Sequence, residues 1–228
     1  MTTYHRAHLV DDPRRATIWK AIAQHLAPNV PADADVLELG AGYCHWINNV
    51  RAARRVAVDR WAELPAQTAP GVEPLVADIA GGLASLPDAS FDVVLASNVL
   101  EHFAPDLAAA VVETVSRLLR PGGRFIVIQP NFRHSWRSYF DDYTHRSIFT
   151  DVSLPALLRS AGFHILKVEP RFLPYSMQGT RFPVAAWLVK AYLSSPVKPM
   201  AGQMLVVARA AHPNQAVPGE QEASPHVR

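Results

Sequence analysis

The stretch Val36-Leu37-Glu38-Leu39-Gly40-Ala41-Gly42-Tyr43-Cys44 constrains this chain more than any other. A short apolar run carries an acid and ends in two glycines one residue apart. That pattern reads as a strand feeding a glycine-rich turn, with a helix opening after it. In an α/β fold it is the entry to a nucleotide-type pocket. A dinucleotide fingerprint needs a third glycine three places beyond Gly42, where His45 stands. No Gly-Lys-Ser/Thr follows, so a phosphate-cradling loop is excluded. What remains is a pocket that admits an adenosyl ligand at close range without being built for pyrophosphate.

Further strand-like runs follow in order. Arg54 to Asp59 ends in an acid about 20 residues after the turn, the spacing at which a carboxylate accepts from both ribose hydroxyls of an adenosine. As a strand-end residue, Asp59 is expected to tolerate truncation without loss of the fold. Glu73 to Asp78 ends in another acid, and Phe91 to Ser97 runs into Asn98-Val99-Leu100-Glu101-His102-Phe103. A helix then leads through Leu119-Arg120-Pro121-Gly122-Gly123-Arg124 to the strand Phe125 to Pro130. Alternation of this kind implies a parallel sheet with helices on both faces.

The series ELGAG, VAVD, VAD, FDVVLASNVLEHF and LLRPGGRF, in that order, resembles the class I S-adenosylmethionine-dependent methyltransferases. The resemblance spans residues 35–130, with a weaker echo to about 210. It implies a Rossmann-like, seven-stranded, mostly parallel α/β sheet with helices on both faces and an antiparallel last strand. The implied cofactor is S-adenosyl-L-methionine. Gly40 and Gly42 let the backbone approach the ligand, and main-chain N–H groups at the following helix start help hold its carboxylate. Asp59 takes the ribose diol. The resemblance assigns Asp78 and the backbone of Ile79 to the adenine. Asn98 sits near the methionine head, and Glu38 supports the turn or the ammonium group. Cys44 stands where many members carry glycine, and reads as a packing residue rather than a nucleophile.

One domain is expected over residues 1–210, with a helical N-terminal segment at 1–34 and acceptor-side insertions at 131–152 and 172–201. The Pro/Glu/Gln/Ser-rich stretch 211–228 reads as a disordered tail. Ser153 is expected to cap a helix that Gly162 stops. Hydrophobic residues make up 49%, ample for a core, and the net charge of +2 comes without a basic tract, which argues against nucleic acid. A single cysteine suits a reducing compartment. With neither an apolar leader nor an apolar run of membrane-spanning length, a cytoplasmic location is expected.

Transfer to an alcohol benefits from a base, and histidine is the usual choice near neutral pH. His145 and His102 are the candidates. The aromatic and polar stretch 131–146 reads as the acceptor wall, with His134, Tyr139, Asp142, Tyr143 and Arg146 as substrate residues. Aromatic faces interleaved with carboxylate, imidazole and guanidinium groups suit a sugar. The later motifs resemble a methyltransferase subgroup associated with bacterial glycans and the cell envelope. The expected reaction is therefore O-methylation of a glycan, lipid-linked saccharide or other small molecule. An N- or carboxyl-methyltransferase, or an inactive cofactor-binding domain, are the alternatives. Residues 182–194 read as a lid, a dimer contact or a face resting on a membrane surface.

Overall fold

The computed structural model describes residues 12–174 and 185–211. Most of the N-terminal segment before Pro13, the 175–184 part of the second insertion and nearly all of the expected tail lie outside these residues. Seven strands form one sheet: β1 (Asp35–Leu39), β2 (Arg54–Asp59), β3 (Val72–Val76), β4 (Phe91–Ser97), β5 (Leu119–Pro130), β6 (Phe163–Pro174) and β7 (Ala201–Ala210). The order is β3-β2-β1-β4-β5-β7-β6. The pairs from β3 across to β5 are parallel, and β7 runs antiparallel to both β5 and β6.

The chain winds outward from β1 through β2 to β3, then returns to β4 on the other side of β1. The reversal opens a crevice at the carboxyl ends of β1 and β4, where ligands of open α/β sheets bind. Covered on both faces, the central strands read as continuous apolar runs. Leu37, Leu39, Val94, Val127 and Phe125 pack one face against α2 (Pro105–Leu118) and α3 (Ser153–Ser160). Val36, Leu95, Ile126 and Ile128 pack the other against Ile18, Ile22 and Leu26 of α1 (Pro13–Leu26). Burial of each of these three α1 side chains contributes about 1.5–3 kcal/mol. The start of α1 at Pro13 has a local cause. Pro13 lacks the N–H that would be orphaned there, and the Asp12 carboxylate accepts from the Arg14 N–H at 3.0 Å.

Three local expectations are corrected. No α-helix follows the glycine turn, only the 3₁₀ turn Ile47–Asn49. Gly40, Gly42 and Cys44 all take positive φ, at 66°, 50° and 56°, which blocks a right-handed ladder until past Cys44. β3 stops at Val76, and Asp78 instead caps the one-turn helix Ile79–Gly82, accepting from Ala80 N at 2.8 Å. Ser153 is not the cap of α3: its N–H donates to Thr150 Oγ1 at 3.1 Å, while Ser153 Oγ accepts from Thr150 N at 2.9 Å. Ser153 is thus the helical half of a reciprocal cap led by Thr150. Gly162 ends that helix at φ 85°, as expected. Finally, the second insertion holds α4 (Ala186–Ser194), whose buried Leu193 joins the α1 side of the core.

Candidate active site

The β1 turn is built around two buried carboxylates. Glu38 Oε2 accepts from Ile47 N at 3.0 Å, and Asp59 Oδ2 accepts from Gly42 N at 2.9 Å. Asp59 Oδ1 also accepts from Trp61 N at 2.9 Å. Asp59 therefore ties the glycine turn to the β2 loop, a structural duty that its strand-end position did not reveal. The turn's own N–H groups are largely committed inside the protein. Ala41 N donates to Val58 O, Cys44 N to Ala41 O and Asn48 N to Cys44 O. The expected carboxylate-binding helix start is absent with the helix itself. Burial, the larger effect, and nearby Asp59 push the Glu38 carboxyl up to about 8, against its bond to Ile47. The fold itself requires glycine at position 40: an added Cβ would meet Val99 Cγ2 at 2.7 Å.

The residues present fit the adenosyl cofactor. A carboxylate offers about four lone-pair sites. Asp59 stands at the carboxyl end of β2 with both oxygens accepting from main-chain N–H groups, the position and chemistry that suit a ribose diol, while Asp78 keeps its second oxygen for an adenine amine. Asn98 also takes a positive φ of 52° and is held by Gln203, whose Nε2 donates to Asn98 Oδ1 at 3.2 Å. Gln203, on β7, could be found only from the tertiary structure. Cys44 is fully buried and burial pushes its thiol up to about 12, so it packs rather than reacts.

Beyond β4 the 3₁₀ turn Leu100–His102 meets the loop that follows β5. Arg146 N and Ser147 N both donate to the Glu101 carbonyl, at 2.8 and 3.1 Å, and Ser147 Oγ donates to Phe103 O at 2.6 Å. This stitching brings His102 and His145 together, ring centroids 5.0 Å apart. The hydrogen bonds assign their tautomers. Thr144 Oγ1 donates to Asp142 Oδ1 at 2.5 Å, because a carboxylate only accepts. Thr144 oxygen then accepts from His102 Nδ1–H at 2.9 Å, leaving the lone pair on Nε2. His145 Nδ1–H donates to the Tyr139 carbonyl at 2.7 Å, and its Nε2 lies 3.9 Å from Asp142 Oδ2. Burial first, and His145 second, pull His102 down to about 4.

Glu101, which from sequence fits either a helix cap or a catalytic part, lies in the same turn. It is 1% exposed, and neither carboxylate oxygen has a hydrogen-bond partner on another residue. Burial, the dominant cause, and the Asp142 charge push it up to about 8. Of the expected substrate residues, Asp142 belongs to this cluster. Tyr139 does not face an acceptor: it is fully buried, and its hydroxyl donates to the Ser147 carbonyl. The aromatic neighbours Phe132 and Phe140 hold it in the loop's own core. Tyr143 and Arg146 are exposed on the same loop. His134 is exposed and contacts Arg171 at 3.5 Å rather than the histidine pair, and burial and that cation lower its pKa.

A family model described as a methyltransferase domain matches residues 12–168, well over half of the chain. A probable S-adenosylmethionine-dependent methyltransferase of Mycolicibacterium smegmatis is 34% identical over 140 residues, which is 59% of this chain and 53% of that protein. The chain thus spans about half the length of that relative. Among solved structures, a SAM-dependent methyltransferase from Archaeoglobus fulgidus superposes with a TM-score of 0.65 at 16% identity, covering 85% of this chain and 94% of the other. The putative methyltransferase complexed with the Haloferax volcanii Trm112 activator gives 0.67 at 19% identity, covering 89% and 93%. A Burkholderia thailandensis 1,6-didemethyltoxoflavin N1-methyltransferase gives 0.56 at 23% identity, covering 91% and 84%. These structural likenesses establish the fold, and with the family match over its core the chain belongs to the class I S-adenosylmethionine-dependent methyltransferases.

Proposed function

We propose that this protein O-methylates a hydroxyl of a saccharide or related small molecule, with His102 receiving the hydroxyl proton. The observation that carries the reading is the chain Asp142–Thr144–His102, which fixes a lone pair on His102 Nε2 beside the end of β4. Bound S-adenosylmethionine supplies an electrophilic methyl group on a sulfonium. Asp59, Asp78 and the backbone of Ile79 bind the adenosine, and Asn98, steadied by Gln203, stands at the methionine end. Asp142 orients the Thr144 hydroxyl, Thr144 orients the ring, and His102 Nε2 takes the proton. Half-buried and neutral, His102 is available as an acceptor at physiological pH.

A saccharide is favoured by the outer face of the same loop. Trp136, Phe140 and Tyr143 are 57%, 59% and 71% exposed beside Asp141 and Arg137, a mixture of stacking faces and hydrogen-bonding groups. The single buried thiol agrees with action in a reducing compartment. The test is release of S-adenosylhomocysteine with a panel of free sugars, lipid-linked saccharides, amines and carboxylic acids. Hydroxyl acceptors should turn over, with His102→Ala lowering kcat by about 10²–10⁴-fold and Thr144→Val reducing it less. Cofactor affinity should stay within about twofold in both. Turnover confined to amines or carboxylates would refute the reading.

A further inference from the structure

We propose that Glu101 is a positioning residue for the proposed transfer: its buried carboxylate is the counter-charge to the His102 ring as that ring takes the acceptor's proton. The inference rests on His102 as the base. A carboxylate oxygen of Glu101 and ring nitrogens of His102 and His145 lie within 4.8 Å of one another. Arg146 N and Ser147 N both donate to the Glu101 carbonyl, which pins this turn against the loop that carries His145.

Other carboxylates around the crevice have evident holding duties. Glu38 accepts from Ile47 N, and Asp59 accepts from Gly42 N and Trp61 N. Asp142 accepts from the Thr144 hydroxyl and lies 3.9 Å from His145 Nε2. The Glu101 carboxylate is 1% exposed and accepts a hydrogen bond from no other residue. It therefore ties no second segment in place, and burying it so costs folding free energy. Its closest chemistry is an imidazole that becomes a cation only during the reaction. Buried ionisable groups beside a reacting centre are the ones that tune its protonation.

In the transfer, the acceptor oxygen bonds the methyl carbon as the carbon–sulfur bond breaks, and the oxygen's proton passes to His102 Nε2. A sulfonium charge is lost and an imidazolium charge appears. Burial and His145 oppose that charge, pulling the ring down to about 4. An ionised carboxylate within 4.8 Å favours it, so the two groups act as a coupled pair. Burial, helped by the Asp142 charge, pushes Glu101 up to about 8. Below that pH the pair already holds a proton and resists a second. The charged and titratable groups facing the pair are His145 and Asp142 on the packed loop, with exposed Arg146 beside them, and Arg60 from the β2 loop acting on His102. The proton leaves to water with the product.

The test combines NMR of isotope-labelled histidine with pH–rate profiles on a hydroxyl acceptor. His102→Gln assigns the His102 signals. In wild type these signals should shift with a midpoint near pH 8, and Glu101→Gln should abolish that step while Glu101→Asp keeps one. Wild-type kcat/KM should fall about tenfold per pH unit below about 8 and level off above it. Glu101→Gln should be at least about tenfold slower than wild type at pH 9, with that limb gone, and Glu101→Asp should restore both in part. A merely structural role would lower the rate and leave the limb in place. Circular dichroism and S-adenosylhomocysteine binding check that the variants fold. No step near pH 8 in wild-type His102, the same step in Glu101→Gln, or an unchanged limb in that variant would overturn the inference. The NMR step present, with every hydroxyl acceptor inert, would confirm the coupled pair and sink the proposed O-methylation instead.

Discussion

Truncation of Asp59 probes both the turn and the cofactor site. In Asp59→Ala the Gly42 and Trp61 N–H groups lose their acceptor, and Asp59 is only 8% exposed, so water does not readily replace it. Leaving a buried donor unsatisfied costs about 1–3 kcal/mol, so the two together cost about 2–6 kcal/mol. For a chain of this size 1 kcal/mol moves Tm by about 2–4 °C, giving a loss of at least about 4 °C. Asp59→Asn keeps one acceptor oxygen but turns an NH₂ toward the other N–H, so its loss should fall between wild type and alanine. The assay is urea and thermal unfolding of the ligand-free protein, followed by calorimetry with S-adenosylhomocysteine. Loss of the ribose acceptor should also weaken that ligand by at least about tenfold, at 1.5–3 kcal/mol per charge-assisted bond. An Asp59→Ala protein with wild-type Tm would show that the carboxylate does not tie the turn. Wild-type affinity in a folded variant would show that it does not hold the ribose.

Two further outcomes follow from buried groups on the same turn. The Glu38 carboxyl is held near 8 when folded, above its ordinary value near 4.5 when unfolded, so the folded state binds more protons in between. Stability should be greatest below about pH 4.5 for this group, fall as pH rises and level off above about 8. Glu38→Gln should remove that part of the pH slope of ligand-free unfolding, and an unchanged slope would refute the placement. Cys44, with its thiol pushed up to about 12, should resist thiol reagents in native protein at pH 8 and react at once in denaturant. Rapid native labelling would contradict its burial.

The strand and helix alternation, the glycine turn and the acids at the ends of β1 and β2 were legible because each depends on a local pattern. Apolar runs between turn residues specify buried parallel strands, and a proline such as Pro13 suits a helix start, whatever lies elsewhere in the chain. Those same patterns place Asp59 at the carboxyl end of β2 and Asp78 just beyond β3, where the topology puts the crevice. What local pattern could not decide is what a side chain meets across the sheet. The left-handed backbone at Cys44 replaces the anticipated helix with a 3₁₀ turn, since an L-residue there must be held by its surroundings. Tyr139 reads as an acceptor-wall residue until the loop folds over it, and Gln203 reaches Asn98 over a separation of 105 residues. Glu101 carries the same lesson. Its neighbours in sequence are compatible with a simple turn, but the return of Arg146 and Ser147 to its carbonyl seals its carboxylate beside two imidazoles. Short-range sterics and hydrophobic period are written in sequence; desolvation and charge clustering arise only when distant segments pack.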